Sequence, residues 1–243
     1  SPDPDRALVA MVLANDAADN TWAGTNGSGV YTRAAGATQW VSRPGLPVQS
    51  NYAFAFGRAG MTYVSGSTGV YALAAGGTAW QQVSGASGLP NQAGGGLATD
   101  SLGAVYAGMN QTGAVYKLDS GGTSWTSVGT GLPAQGQVNG LEFDGAGNLW
   151  ALIRGAGVFK LAAGGATWSA MNAGLDIASV QALAVVGNDL FAGGRNNGAY
   201  KLANASGGGS TWVPWNGGAL TAALSIYALA RGAGNTLFAG GCC

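Results

Sequence analysis

Apolar residues recur along the chain in short runs of four to six positions, each closed by glycine, asparagine or aspartate. Residues 138–169 show the pattern in full. Val138-Asn139-Gly140-Leu141-Glu142-Phe143 is followed by a turn, Asp144 to Asn148. Leu149-Trp150-Ala151-Leu152 leads through glycine to Gly157-Val158-Phe159-Lys160-Leu161, and Ala163-Gly164-Gly165 leads to Thr167-Trp168-Ser169. Short β-branched and aromatic runs between glycine turns predict strands, and the tight turns predict antiparallel pairing. Each such stretch ends in a corner: Leu46-Pro47, Leu89-Pro90, Leu132-Pro133 or Leu175-Asp176.

The pattern repeats. Tyr31, Tyr71, Tyr116, Phe159 and Tyr200 are spaced by 40, 45, 43 and 41 residues. Trp40, Trp80, Trp125, Trp168 and Trp212 are spaced by 40, 45, 43 and 44. A third series, Trp22, Tyr63, Tyr106, Trp150, Phe191 and Phe238, has six members. Four strands in a unit of roughly 40–50 residues, repeated, predict an all-β fold: a β-propeller of four-stranded antiparallel blades. The series give five full repeats plus half of a sixth. No linker interrupts them, so 1–243 is expected to be a single β-propeller domain. The blades fall at about 7–46, 47–89, 90–132, 133–175 and 176–219, with a partial one at 220–243. Ala219 to Arg231 would pass for a helix on propensity. Its Ser225-Ile226-Tyr227-Ala228-Leu229-Ala230 aligns with Ser179-Val180-Gln181-Ala182-Leu183-Ala184, so a first strand is expected instead. The recurring aromatics are expected in the packing between blades. The small residues are expected on crowded inner strands and in turns.

Composition narrows the function. Gly and Ala number 45 each, about 37 % of 243 residues, and charged residues are 8 %. Ten basic residues balance ten acidic ones, so phosphate neutralisation is not available and no nucleic acid is expected as a partner. The chain has no His, which removes His triads and His metal sites. Glu142 is its one glutamate, so a Glu/Glu glycosidase pair is excluded. No apolar stretch approaches the ~20 residues of a membrane-spanning helix. The opening Ser1-Pro2-Asp3-Pro4 is read as a processed N-terminus or a fragment. Cys242 and Cys243 are adjacent, a strained geometry for a disulfide with each other. No cofactor, metal site or catalytic residue is expected.

In such blades the turns between strands two and three share an end with the connections between repeats. That end is rich in amides and hydroxyls, among them Asn26, Gln49, Asn51, Gln137 and Asn139. The residues singled out for ligand binding are Asn110, Gln111, Arg154, Arg195, Asn196 and Asn197, with Trp215, which stands outside the repeat register. Amides donate and accept together, as neutral polyols require, and this end is expected to bind a neutral glycan or a protein partner. Lys117, Lys160 and Lys201 occupy one position of the unit and predict a basic arc or a solvated strand position. Asp100 and Asp144 recur near first-strand ends, where turn capping accounts for them. The sixth repeat stops after its second strand, which would leave an open edge near Phe238. Either the chain is part of a longer propeller, or edge-strand pairing with another segment covers that edge.

The segments before the tryptophans, Ser120-Gly121-Gly122-Thr123-Ser124-Trp125, Ala163-Gly164-Gly165-Ala166-Thr167-Trp168 and Ala75-Gly76-Gly77-Thr78-Ala79-Trp80, resemble the Asp-box of sialidase-like (BNR-repeat) propellers. The glycine three before Trp and the Trp match. The Asp of the box is replaced by Ser120, Ala163 and Ala75, so the box is degenerate. The wider unit is similar to propellers of photosystem-II assembly factors and of bacterial sensor ectodomains. The resemblance implies a propeller. The sialidase constellation of three arginines, a Tyr/Glu pair and an Asp has no counterpart among these residues. The expected function is therefore a non-enzymatic, exported propeller, periplasmic or secreted and bacterial, acting as a binding or scaffold subunit of a larger assembly. The alternatives are a secreted carbohydrate-binding lectin and, more weakly, a degenerate glycoside hydrolase-like propeller.

Overall fold

A computed structural model describes residues 10–47, 50–215, 224–232 and 234–242. The first sheet contains β1 (Ala10–Asn15), β2 (Thr21–Thr25), β3 (Val30–Arg33) and β4 (Val41–Arg43). The second contains β5 (Asn51–Phe56), β6 (Thr62–Gly66), β7 (Gly69–Leu73) and β8 (Gln81–Gln82). The third contains β9 (Gly94–Thr99), β10 (Val105–Met109), β11 (Val115–Leu118) and β12 (Trp125–Ser127). The fourth contains β13 (Val138–Phe143), β14 (Leu149–Ile153), β15 (Gly157–Leu161) and β16 (Trp168–Ala170). The fifth contains β17 (Val180–Val186), β18 (Asp189–Gly194), β19 (Ala199–Leu202) and β20 (Trp212–Trp215). Each is a four-stranded antiparallel meander in chain order. A two-stranded sheet of β21 (Ser225–Arg231) and β22 (Leu237–Cys242) follows. The all-β reading holds, and the alanine-rich stretch from Ser225 is a strand, as its alignment predicts. Residues 219–223, like 1–6, Gln49 and Cys243, lie outside the described residues.

The chain divides into two compact units, and the boundary runs through the third sheet. Residues 1–107 and 116–126 form the first unit; 108–115 and 127–243 form the second.

Three devices explain why these residues form these elements. The first closes the hairpin between strands one and two. Asp144 Oδ1 accepts from the backbone N–H of Ala146 (2.9 Å) and Asn148 (3.0 Å). Its Oδ2 accepts from Asn148 Nδ2 (2.8 Å) and from the indole Nε1 of Trp150 (2.9 Å). Asp16 does the same with Ala18, Asn20 and Trp22. Asp100 does it with Leu102, Ala104 and, at 3.4 Å, the Tyr106 hydroxyl. The aspartates cap turns, an Asx motif extended to the strand-two aromatic.

The second device fastens one repeat to the next. The backbone N–H groups of Trp125, Trp168 and Trp212 donate to the carbonyls of Ser87, Thr130 and Ala173. The indoles of Trp168 and Trp212 donate to Val128 O (3.0 Å) and Met171 O (2.7 Å) in the preceding repeat. The corner glycine is required here. Gly131 has φ +102°, and a Cβ on it would stand 2.8 Å from Trp168 O. Gly174, φ +82°, lies against Trp212 O in the same way. Trp40 departs from the series: it is 41 % exposed.

The third device is a set of glycine sockets on strand two. A Cβ on Gly24 would meet Asn51 at 2.7 Å, one on Gly193 would meet Ile226 at 2.5 Å, and Gly108 lies against Val138. Each socket receives the start of the next repeat's first strand. These strand-two glycines are thus small because the first strand of the next repeat, and for Gly24 also Val12 of its own first strand, packs on them. In the second unit the core gathers Trp150, Leu152, Val158, Val180, Leu190, Leu202 and Trp212.

Candidate functional site

The antiparallel meander gives the second unit two ends. One carries the turns between strands two and three and the connections between repeats. The other carries the hairpins between strands one and two.

The first end holds the residues singled out from the sequence. Arg154 and Arg195 are the first residues after β14 and β18. Their backbone N–H groups donate to Gln137 O (2.9 Å) and Ser179 O (2.8 Å), so both turns are pinned to the connection entering their own repeat. Both side chains are exposed, and the Arg154 guanidinium reaches Gln137 Oε1 at 3.4 Å. Asn196 adopts φ 59°; its N–H donates to Ser225 Oγ (3.0 Å), which donates back to Asn196 Oδ1 (2.8 Å). Asn197 Nδ2 donates to Asp176 Oδ2. Trp215 ends β20 at the same end, half-buried, its ring meeting Phe191 edge-on at 5.0 Å. Asn110, half-buried, and Gln111, exposed, stand on the equivalent turn of the third sheet, closed by Met109 N–H on Ala114 O. Asn51 differs from expectation. It is buried in the first unit and donates to Thr25 O (3.1 Å) and Gly29 O (3.2 Å), so it fastens two repeats rather than facing a ligand.

The three lysines do not form a free basic arc. Each ammonium lies over the strand-two aromatic of its own sheet: Lys117 over Tyr106 (5.8 Å), Lys160 over Trp150 (4.9 Å) and Lys201 over Phe191 (5.6 Å). Lys117 also pairs with Asp119 (2.6 Å) and Lys201 with Asp189 (2.7 Å), while Lys160 donates to Ala205 O (3.1 Å). Cation–π contact and a polar partner hold all three.

The opposite end holds a residue whose role sequence reasoning missed. Glu142 stands on β13 opposite Trp150. In four of the other repeats that position, opposite the strand-two aromatic, is Ala14, Ala55, Ala184 and Ala230. A glutamate in an alanine register is a signal that aligning the repeats would have raised. Burial pushes its carboxyl up to about 7. Two residues on, burial also works against the Asp144 carboxylate, but the side-chain bonds of Asn148 and Trp150 and the backbone of Asn148 and Ala146 outweigh it and hold the pKa low. Glu142 and Asp144 line a cavity of about 300 Å³ with Phe143, Ala184, Val185, Leu229 and Arg231. The first unit has a cavity of about 370 Å³ between Arg58, Tyr63, Asp119 and Ser120, whose buried hydroxyl is unpartnered. Among the described residues no group of three His, Cys, Asp or Glu is placed to hold a metal, and no helix is long and apolar enough to cross a membrane.

Comparison with solved structures supplies the fold class. The extracellular domain of the hybrid two component system BT4673 of B. thetaiotaomicron is similar over 99 % of this chain, with a TM-score of 0.71 and 14 % identity. The chain spans only 38 % of that domain's length. Virginiamycin B lyase of Staphylococcus aureus is similar over 99 % of this chain and 79 % of its own, with a TM-score of 0.75 and 17 % identity. YCF48 bound to D1 peptide is similar over 96 % of this chain and 75 % of its own, with a TM-score of 0.68 and 15 % identity. The structural likeness establishes the β-propeller fold, and at these identities nothing finer. No protein-family model matches the chain, and no curated protein matches it in sequence.

Proposed function

We propose that this chain is a non-enzymatic binding or scaffold propeller whose partner is an acidic peptide segment of another protein. The segment docks on the end of the second unit that carries Arg154 and Arg195. The carrying observation is that two exposed arginines occupy equivalent turns of adjacent sheets while their backbone amides are already bonded. Guanidinium groups on fixed turns suit bidentate contact with carboxylates. Asn196 and Asn197 shape the turn beside Arg195. Trp215 offers a half-exposed ring there, and Asn110 and Gln111 extend the face. The likeness to a peptide-bound propeller and to sensor ectodomains is compatible with this role.

The non-enzymatic part is supported by Asp16, Asp100 and Asp144, which are spent on turns. An exported, extracytoplasmic location is part of the proposal, as are a single propeller domain over 1–243 and a degenerate Asp-box at the turns before the fourth strands. The same holds for the sixth repeat. The shift in register between Ile226 and Ala228 matches those between Asn51 and Ala53 and between Val180 and Ala182, which supports reading β21 and β22 as two strands of a further blade. Its edge at β22, beside a Phe238 that is 62 % exposed, is the place for strand pairing.

The test is a panel of acidic and neutral peptides and neutral glycans, read against the wild type and the double variant R154A/R195A. Acidic peptides should bind the wild type and lose at least about tenfold in the variant, roughly 1.4 kcal/mol. Glycan binding alone would move the chain to the lectin reading. Peptide binding unchanged in the variant would overturn the site.

A further inference from the structure

The cavity at the opposite end of the second unit combines features that the fold does not need. Glu142 stands where four other repeats have alanine. Among the described residues its carboxyl accepts no hydrogen bond and joins no ion pair. The nearby cation does not serve it, because the Lys160 ammonium is occupied by the Trp150 ring and Ala205 O. The nearby carboxylate does not compete for a ligand, because Asp144 already accepts four hydrogen bonds. At the rim Arg231, exposed, also has no ion-pair partner among the described residues. Ala184, Val185 and Leu229 supply apolar atoms to a lining that is otherwise largely polar.

A half-buried carboxyl without a donor loses part of its hydration with nothing in exchange, unless a ligand supplies one. An exposed guanidinium on the same cavity is a ready partner for a carboxylate. We infer that this cavity binds a small aliphatic zwitterion, an amino acid or dipeptide, with its ammonium on Glu142, its carboxylate on Arg231 and its apolar body against Ala184, Val185 and Leu229. The volume of about 300 Å³ suits such a molecule. The inference stands apart from the peptide face, which lies at the other end of the sheets.

Calorimetry on the full chain with L-leucine and L-alanyl-L-leucine tests it and distinguishes the two sources. One of them should bind with Kd at or below about 1 mM. N-acetyl-leucine and leucine amide, each lacking one charge, should bind at least about tenfold more weakly than leucine if the amino acid is the ligand, and the equivalent blocked dipeptides if the dipeptide is. E142A carries the residue of the other repeats and should keep the fold. It should lose binding at least about tenfold, as should R231Q. Absence of binding by both ligands up to roughly 10 mM, or unchanged affinity in E142A, overturns the inference.

Discussion

Asp16 in the first repeat and Asp144 in the fourth close the same turn onto the same kind of tryptophan, through Asn20 and Asn148 at matching places. Trp40 and Trp168 stand at matching places too, but their surroundings differ. Trp168 is buried and bonded to the preceding repeat by its backbone and its indole. Trp40 is 41 % exposed, with the Arg33 guanidinium over its ring at 5.3 Å. Trp80, in the second repeat, is buried with its indole N–H unpartnered. The Asp turn is complete within twenty residues of chain, so it forms wherever its residues occur. The tryptophan fastener exists only where a neighbour presents its carbonyls and corner glycine.

The comparison breaks most sharply at the fasteners. Trp212→Ala should cost about 3–5 kcal/mol by thermal melting, because it removes a buried aromatic and an inter-repeat bond. Trp40→Ala should cost under about 1 kcal/mol. Equal losses would mean that the two positions are not different in kind.

At the turns, Asp144→Ala should cost about 2–4 kcal/mol, since it leaves Trp150 Nε1 and Asn148 Nδ2 buried without an acceptor. Asp16→Ala should cost less, because water reaches its turn. Both carboxylates sit below their ordinary pKa in the folded state. Their contribution is present above the ordinary carboxylate range and is lost as pH falls through the folded values. An acid titration should show a smaller loss in D144A than in the wild type, because only the part that Asp144 contributes is removed.

Glu142 carries the opposite sign. Its folded value of about 7 lies above the ordinary 4.5, so the folded chain holds its proton longer than the unfolded chain. Stability falls as pH rises from 4.5 to 7, and Glu142→Gln should remove that fall. The variant should be more stable than wild type by up to about 3 kcal/mol at alkaline pH and equal to it in acid. Melting curves that run parallel at all pH would contradict the buried carboxyl. The smallest effect belongs to the binding face: R154A/R195A should change stability by less than about 0.5 kcal/mol, because both side chains are exposed.

Local structure was the legible part. The strand series, the Asp turns and the strand at Ser225 follow from periods and turn residues within one unit. The cross-repeat contacts were less so. The roles of Gly24, Gly108 and Gly193 depend on what the next repeat inserts, and Asn51 reads as a loop amide until the first repeat is placed beside it. Lys117, Lys160 and Lys201 look like a charged stripe in sequence because an aromatic beneath each ammonium appears only with strand register. Glu142 was visible as the chain's one glutamate, and its register among alanines follows from aligning the first strands of the repeats, but the cavity that it lines appears only in the structure. The turns of Arg154 and Arg195 were found from the sequence because loop position follows from repeat length.

The most direct measurement is the binding of acidic peptides to the wild type and to R154A/R195A under one salt condition, with melting temperature as control. The wild type should bind, the variant should lose at least about tenfold in affinity, and the melting temperature should not change. Equal peptide affinity in the two proteins would contradict the proposed site.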